Sequence, residues 1–302
     1  MLQLFIIILA IILGYAFVGL PVSNLYLDRG LEILVAIILL VMGYSFGVTS
    51  INLLPELMQM SYIILVFVGI IMLCNIFAIL AFLPKVKSVN KQPEIKHPYR
   101  YYLTYVFSGM KYLAIVISGI VLGYLLRIEL SHLNVIIDSV LLVILFIIGH
   151  RLRLQGIPLK QILLNKTGIV IALVIIISSI VAGLIGAYIL GLSARVGLVL
   201  SAGYGWYTLS GILTGQVLNH QFGTIAFFID FIREIIAILF IPIIGRFNVL
   251  MPIGYSGATA LDFTLPIIKV NLGEHVVPIA VTSGMILTIL VPIVIPFFAK
   301  AF

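Results

Sequence analysis

The sequence predicts an all-α polytopic membrane protein with eight to ten transmembrane segments, two of them broken, meaning discontinuous or re-entrant. Three observations carry this. Of the 302 residues, 63% are hydrophobic and 9% charged, with a mean hydropathy of +1.31, against about 45–50% apolar and about 25% charged in soluble domains. Apolar runs close to the ~20 residues that cross a hydrocarbon core recur along the whole chain. Two of the later runs are interrupted by glycines, hydroxyls and aromatics, which lipid tolerates only where backbone is buried in protein or lines a wet cavity.

Uninterrupted spans are expected near 1–20, 31–49, 61–83, 102–126, 134–150 and 168–190. The first has no basic leader and no small-residue cleavage site, so it reads as a membrane helix and not a removable signal. A broken segment at 196–219, a span at 222–245, a second broken segment at 249–268 and a last span at 276–299 complete the chain. The whole of 1–302 reads as one transmembrane domain: N-terminal spans 1–84, a basic loop 85–101, middle spans 102–190 and a transport core 191–302. Gly43-Tyr44-Ser45-Phe46-Gly47 loosely echoes Gly254-Tyr255-Ser256-Gly257, as inverted repeats would, although glycines also let membrane helices pack closely.

Seventeen Lys+Arg against ten Asp+Glu give +7. In a soluble protein that balance could indicate nucleic acid. Here the basic residues sit between apolar spans, Lys85, Lys87, Lys91, Lys96 and Arg100 after the third, Arg151, Arg153, Lys160 and Lys166 after the fifth. Both loops are therefore expected in the cytoplasm and both termini outside, with Arg127 and Arg195 as single external charges. The expected partners are a small-molecule substrate and the lipid bilayer, with no nucleic acid; a homodimer stays open. The single cysteine, Cys74, excludes a disulfide within the chain and argues against a cysteine-based metal site. The five histidines, His97, His132, His150, His220 and His275, fall near span ends, where interfacial solvation accounts for them. No metalloprotease, P-loop or nucleophile-elbow motif is present, so neither an enzyme nor a cofactor is expected.

The first break, Gly203-Tyr204-Gly205-Trp206-Tyr207-Thr208-Leu209-Ser210-Gly211, would expose N–H groups at the start of a half-helix, a place for a substrate carboxylate, with Thr208 and Ser210 as hydroxyl donors. Trp206 and Tyr207 would stack on an aliphatic or cationic group, or else form an interfacial belt. The second break, Gly254-Tyr255-Ser256-Gly257-Ala258-Thr259-Ala260-Leu261-Asp262, ends in a carboxylate. Asp262 would bind an ammonium or carry a proton beside Ser256 and Thr259, or simply cap the following half-helix. Paired interruptions of this kind are the pattern of secondary-transporter binding sites.

Between the breaks, Asp230, Arg233 and Glu234 share one helical stripe about 100° wide. An ionisable residue at membrane depth costs about 2.5–3.5 kcal/mol on insertion scales, so each needs a reason. Either Arg233 pairs with Asp230 and the group neutralises itself, or at least one acid binds ion or substrate. Lys111, inside the fourth span after Ser108-Gly109-Met110, is too deep to reach water easily and should meet an acid, with Asp138 the candidate; a structural pair and a role in coupling are both open.

Three stretches, Gly203 to Ile212, Ala226 to Ile238 and Gly257 to Pro266, together resemble the LysO lysine-exporter family in content, order and spacing, and the likeness extends more weakly through Leu163 to Leu190 and Ser108 to Lys111. The resemblance implies export of L-lysine, with analogues such as thialysine as further cargo, across a prokaryotic inner membrane, driven by inward protons. It also implies that Glu234 and Asp262 are functional acids and that Asp230 stands where the family has Asn or Asp. One departure is Thr49-Ser50, where the family can carry an acid. The fold it suggests is the crossed-half-helix kind of sodium/proton antiporters and bile-acid-type carriers. The alternative is a sodium-coupled or sodium/proton carrier of another amino acid or organic solute, with Na+ held by Asp230, Thr208, Ser210 and freed carbonyls.

Overall fold

The computed structural model describes residues 2–17, 24–49, 53–85, 99–128, 133–154 and 165–301, and among them every regular element is helical. The long helices are α1 (Leu2–Ala16), α2 (Asn24–Thr49), α3 (Leu53–Phe82), α4 (Tyr99–Leu126), α5 (Leu133–Leu154) and α6 (Lys166–Leu190). Most of the basic loop 85–101 lies outside the described residues, as do His97, His132 and Lys160. Then come the short α7 (Ala194–Ser201) and α8 (Tyr207–Val217), the long α9 (His220–Ile244), and α10 (Leu250–Ser256). A 3-10 turn (Gly257–Leu261), α11 (Leu265–Leu272) and, after a second 3-10 turn, α12 (Val277–Ala301) complete the chain.

Several boundaries follow from local chemistry. Asn165 caps α6 by accepting the N–H of Gly168 at 2.9 Å, and Gly191, at φ +65°, ends it in the left-handed region. Asn219 caps α9 through the N–H of Phe222 at 2.9 Å. The second and third helices begin well before the spans read from sequence at 31 and 61, because helical ends carry polar residues beyond the apolar stretch that a hydropathy reading registers. Among the described residues, four stretches are long and apolar enough to cross a membrane by length and composition: Arg29–Val48, Leu54–Phe82, Lys166–Leu190 and Glu274–Ala301; Met110–Leu126 is a shorter apolar helix. The chain is a multi-pass membrane protein.

α2 lies closely on α4. A β-carbon on Gly43 would overlap the Val116 carbonyl, and one on Gly123 would overlap the Tyr44 carbonyl, so only glycine permits this approach. The Gly43–Gly47 motif thus serves helix packing. α3 packs on α6, where buried Asn75 accepts hydrogen bonds from Ser178 Oγ (2.6 Å) and Ser179 Oγ (3.3 Å). α9 sits centrally, touching α2, α3, α4, α8, α10 and α11, so its polar stripe is enclosed by protein on several sides.

Candidate functional site

The two breaks meet. In the first, helix is lost only over 202–206, with Tyr204 at φ +48° and Gly205 at φ +92°; Ser210 and Gly211 already belong to α8. In the second, Gly257 has φ +65° and ψ −129°, a conformation that side chains disfavour. There the N–H of Ala258 donates to the carbonyl of Tyr204 at 2.8 Å. A β-carbon on Gly257 would overlap that same carbonyl, and one on Gly205 would come within 3.0 Å of the Ser256 carbonyl oxygen. Backbone therefore lies directly on backbone, which is why these positions are glycine.

One turn of α9 holds the crossing. Asp230, fully buried, accepts the N–H of Gly205 at Oδ1 (2.7 Å) and the hydroxyl of Ser210 at Oδ2 (2.6 Å). A β-carbon at Gly203 would overlap Asp230 Oδ2, so that glycine makes room for the carboxylate. Arg233 donates from Nε to the Tyr255 carbonyl at 2.9 Å and lies over the Tyr255 ring, 5.3 Å from its centroid. The ion pair between Asp230 and Arg233 that their spacing suggested is not formed among the described residues. The breaks free backbone donors and acceptors in a medium without water, and each charged side chain takes one of those instead. Arg233 Nη1 and Nη2 have no hydrogen-bond partner among the described residues.

Next to the crossing is a cavity of about 350 Å³, within the ~300–1,000 Å³ of small-molecule sites. Its polar lining includes three acidic residues, Glu32, Glu234 and Asp262, and the hydroxyl-bearing residues Tyr112, Tyr207, Thr208, Thr259 and Thr288, but no Lys, Arg or His among the described residues. Glu234 is buried and its Oε2 has no hydrogen-bond partner there, whereas Asp262 and Glu32 are exposed. The cavity thus runs from an acidic rim to a buried acid. Tyr207 forms its aromatic wall, edge-on to Phe227 and Phe231 at 5.5 Å each and 6.0 Å from Tyr112.

Trp206, Tyr207, Thr208 and Leu209, the start of α8, line the same space, and no side chain caps that helix. An uncapped N-terminus carries partial positive charge. The N–H of Gly205 itself is committed to Asp230, and the donors expected for a ligand are those that follow it at the start of α8. Thr264, and not Asp262, stands at the N-cap of α11, and Asp262 Oδ1 accepts the N–H of Phe263 at 2.6 Å.

The other expected residues fall into two groups. Glu234, Asp262, Trp206, Tyr207, Thr208 and Thr259 line the cavity. Asp230, Ser210, Gly203 and Gly205 build the crossing behind it, and Ser256 turns its hydroxyl to its own helix, donating to the Pro252 carbonyl at 2.7 Å. Lys111 pairs with Glu32 (3.1 Å), half-exposed; the side chain of Asp138, its expected partner, lies outside the described residues, as do Ser50 and the Thr49 side chain. His150 is buried and not solvated at a helix end. Glu32, Tyr112 and Thr288 were not read as site residues from sequence. Glu32 sits near the start of an apolar span and looks like a solvated end residue, and nothing local signals that α4 brings Lys111 and Tyr112 beside it.

A family model described as "Lysine exporter LysO" matches residues 113–299. The "Lysine exporter LysO" of Escherichia coli (strain K12) is 35% identical over 297 residues, covering 98% of each chain. A "Putative lysine exporter" of Haemophilus influenzae is 40% identical over 188 residues, 62% of this chain and 96% of that one. No solved structure matches the chain.

Proposed function

The chain belongs to the lysine exporter LysO family, and on that premise we propose that it exports L-lysine, with analogues such as thialysine as further cargo, by exchange for inward protons. The observation that carries this reading is the cavity: three carboxylates and no basic side chain among its described lining, beside an uncapped helix N-terminus. Lysine brings two ammonium groups and one carboxylate. Its carboxylate would sit at the start of α8, and an ammonium at Glu234, whose Oε2 lacks a partner among the described residues. Asp262 at the rim would meet the cargo on its way in or out.

Proton coupling would follow if Glu234 must be ionised to hold the cation and takes a proton from outside as the cation leaves. Tyr207 and Trp206 supply an aromatic wall for the aliphatic stem. The membrane is the prokaryotic inner membrane in this reading, with both termini outside and H+ as the coupling ion. A sodium-coupled reading has less to stand on, because both oxygens of Asp230, its expected anchor, are already committed to Gly205 and Ser210.

Counterflow of labelled L-lysine into proteoliposomes tests the proposal. Saturable uptake that responds to an imposed pH gradient and is unchanged when choline replaces sodium is expected. Uptake that follows sodium and ignores pH would overturn the coupling and keep the cargo. No lysine flux from a folded preparation that carries another solute would overturn the cargo.

A further inference from the structure

We propose that Glu32 is the carboxylate that receives the cargo's side-chain ammonium and that Lys111 is its tethered occupant when the carrier is empty. The inference rests on the reading of lysine as cargo. Glu32 lines the acidic cavity, yet its Oε2 is held at 3.1 Å by the Nζ of Lys111, a residue that is not part of that lining. The group bound to Glu32 is thus chemically the end of a lysine molecule: an ammonium on a four-carbon stem. A carboxylate placed to take one such ammonium can take another at the same distance.

Three features favour exchange over a fixed structural pair. The side chains of Lys111 and Glu32 are 45% and 59% exposed, and ion pairs in such positions contribute little to stability, so displacement costs little. Lys111 has a second seat, since its Nζ lies 4.8 Å from the centroid of the Tyr112 ring and could stay there once Glu32 is taken. The wall itself is rigid, because α2 and α4 are locked by the contacts of Gly43 and Gly123, and Glu32 on that wall lines the same cavity as the buried Glu234. A cargo with ammonium groups at both ends could then meet Glu234 with one and Glu32 with the other, which selects for its length.

The test is half-saturation of L-lysine counterflow for the parent, Glu32→Gln and Lys111→Met, with L-norleucine, which lacks the side-chain amine, as the competing probe. The expected result is opposite signs. Glu32→Gln raises the half-saturation concentration about tenfold and narrows the preference for lysine over norleucine by a similar factor. Lys111→Met, having lost the internal competitor, lowers the half-saturation concentration several-fold. A merely structural pair predicts that both changes weaken lysine alike and leave the preference over norleucine untouched, and that result overturns the inference. If Glu32→Gln does not fold, Glu32→Asp takes its place, and the sign for Lys111→Met decides. A parent without lysine flux would overturn the cargo reading and this inference with it; a parent with normal flux and unchanged variants overturns only the latter.

Discussion

Asp230 and Glu234 lie one helical turn apart on the same enclosed helix, and both are buried, yet their surroundings are opposite. Asp230 has a donor on each oxygen and fastens the first break to α9. Glu234 has an oxygen with no hydrogen-bond partner among the described residues and lines a cavity. A buried acid whose hydrogen bonds are complete belongs to the architecture, while one left incomplete is available to a proton or a cation. The pairing of Arg233 with the Tyr255 carbonyl extends the contrast: Asp230 and Arg233 hold the two breaks, and the next residue, Glu234, serves the cavity beside them.

The largest effect that would break this contrast is in flux. Glu234→Gln should reduce lysine counterflow at least about a hundredfold, the loss expected when a buried charge partner of the cargo is removed. It should leave the melting temperature in detergent close to that of the parent, since no hydrogen bond at Oε2 is lost. Asp230→Ala should do the reverse. Removing the acceptor of two charge-assisted hydrogen bonds costs about 3 kcal/mol or more and leaves the Gly205 N–H buried without a partner, which thermal unfolding reads directly.

A smaller effect sharpens the crossing itself. Gly257→Ala places a β-carbon against the Tyr204 carbonyl in a conformation that alanine disfavours, and should cost about 1–3 kcal/mol by the same assay. Smaller again is Asn75→Leu, away from both features. It removes an acceptor shared by Ser178 and Ser179 between α3 and α6 and should lower stability by about 1 kcal/mol with lysine half-saturation unchanged.

The membrane class, the positions of the breaks and the acids beside them were legible because glycines, hydroxyls and carboxylates stand out against hydrocarbon. What each acid does was not. Asp230 and Glu234 differ only in what the breaks bring to them, and the contact of Ala258 with Tyr204 joins residues more than fifty positions apart. Periodicity put Arg233 within reach of Asp230 but could not show that the freed backbone of two breaks would compete for both. Glu32 was hidden for a similar reason, since its neighbours Lys111 and Tyr112 come from another helix and its own position resembles a solvated end. The break at 203–211 was also read too long: glycine within it marks close packing against α9 as well as loss of helix, and Gly211 sits inside α8, where a β-carbon would press on Phe227.

The most direct test of the contrast is equilibrium binding of labelled L-lysine to purified parent, Asp230→Asn and Glu234→Gln, each confirmed folded by its melting curve. Asn at 230 keeps an acceptor for Gly205 and a partner for Ser210, so that variant should bind lysine nearly as the parent does, whereas Glu234→Gln should show no saturable binding. Lysine binding that survives in Glu234→Gln and disappears in a folded Asp230→Asn would contradict the assignment of architecture to one acid and cargo to the other.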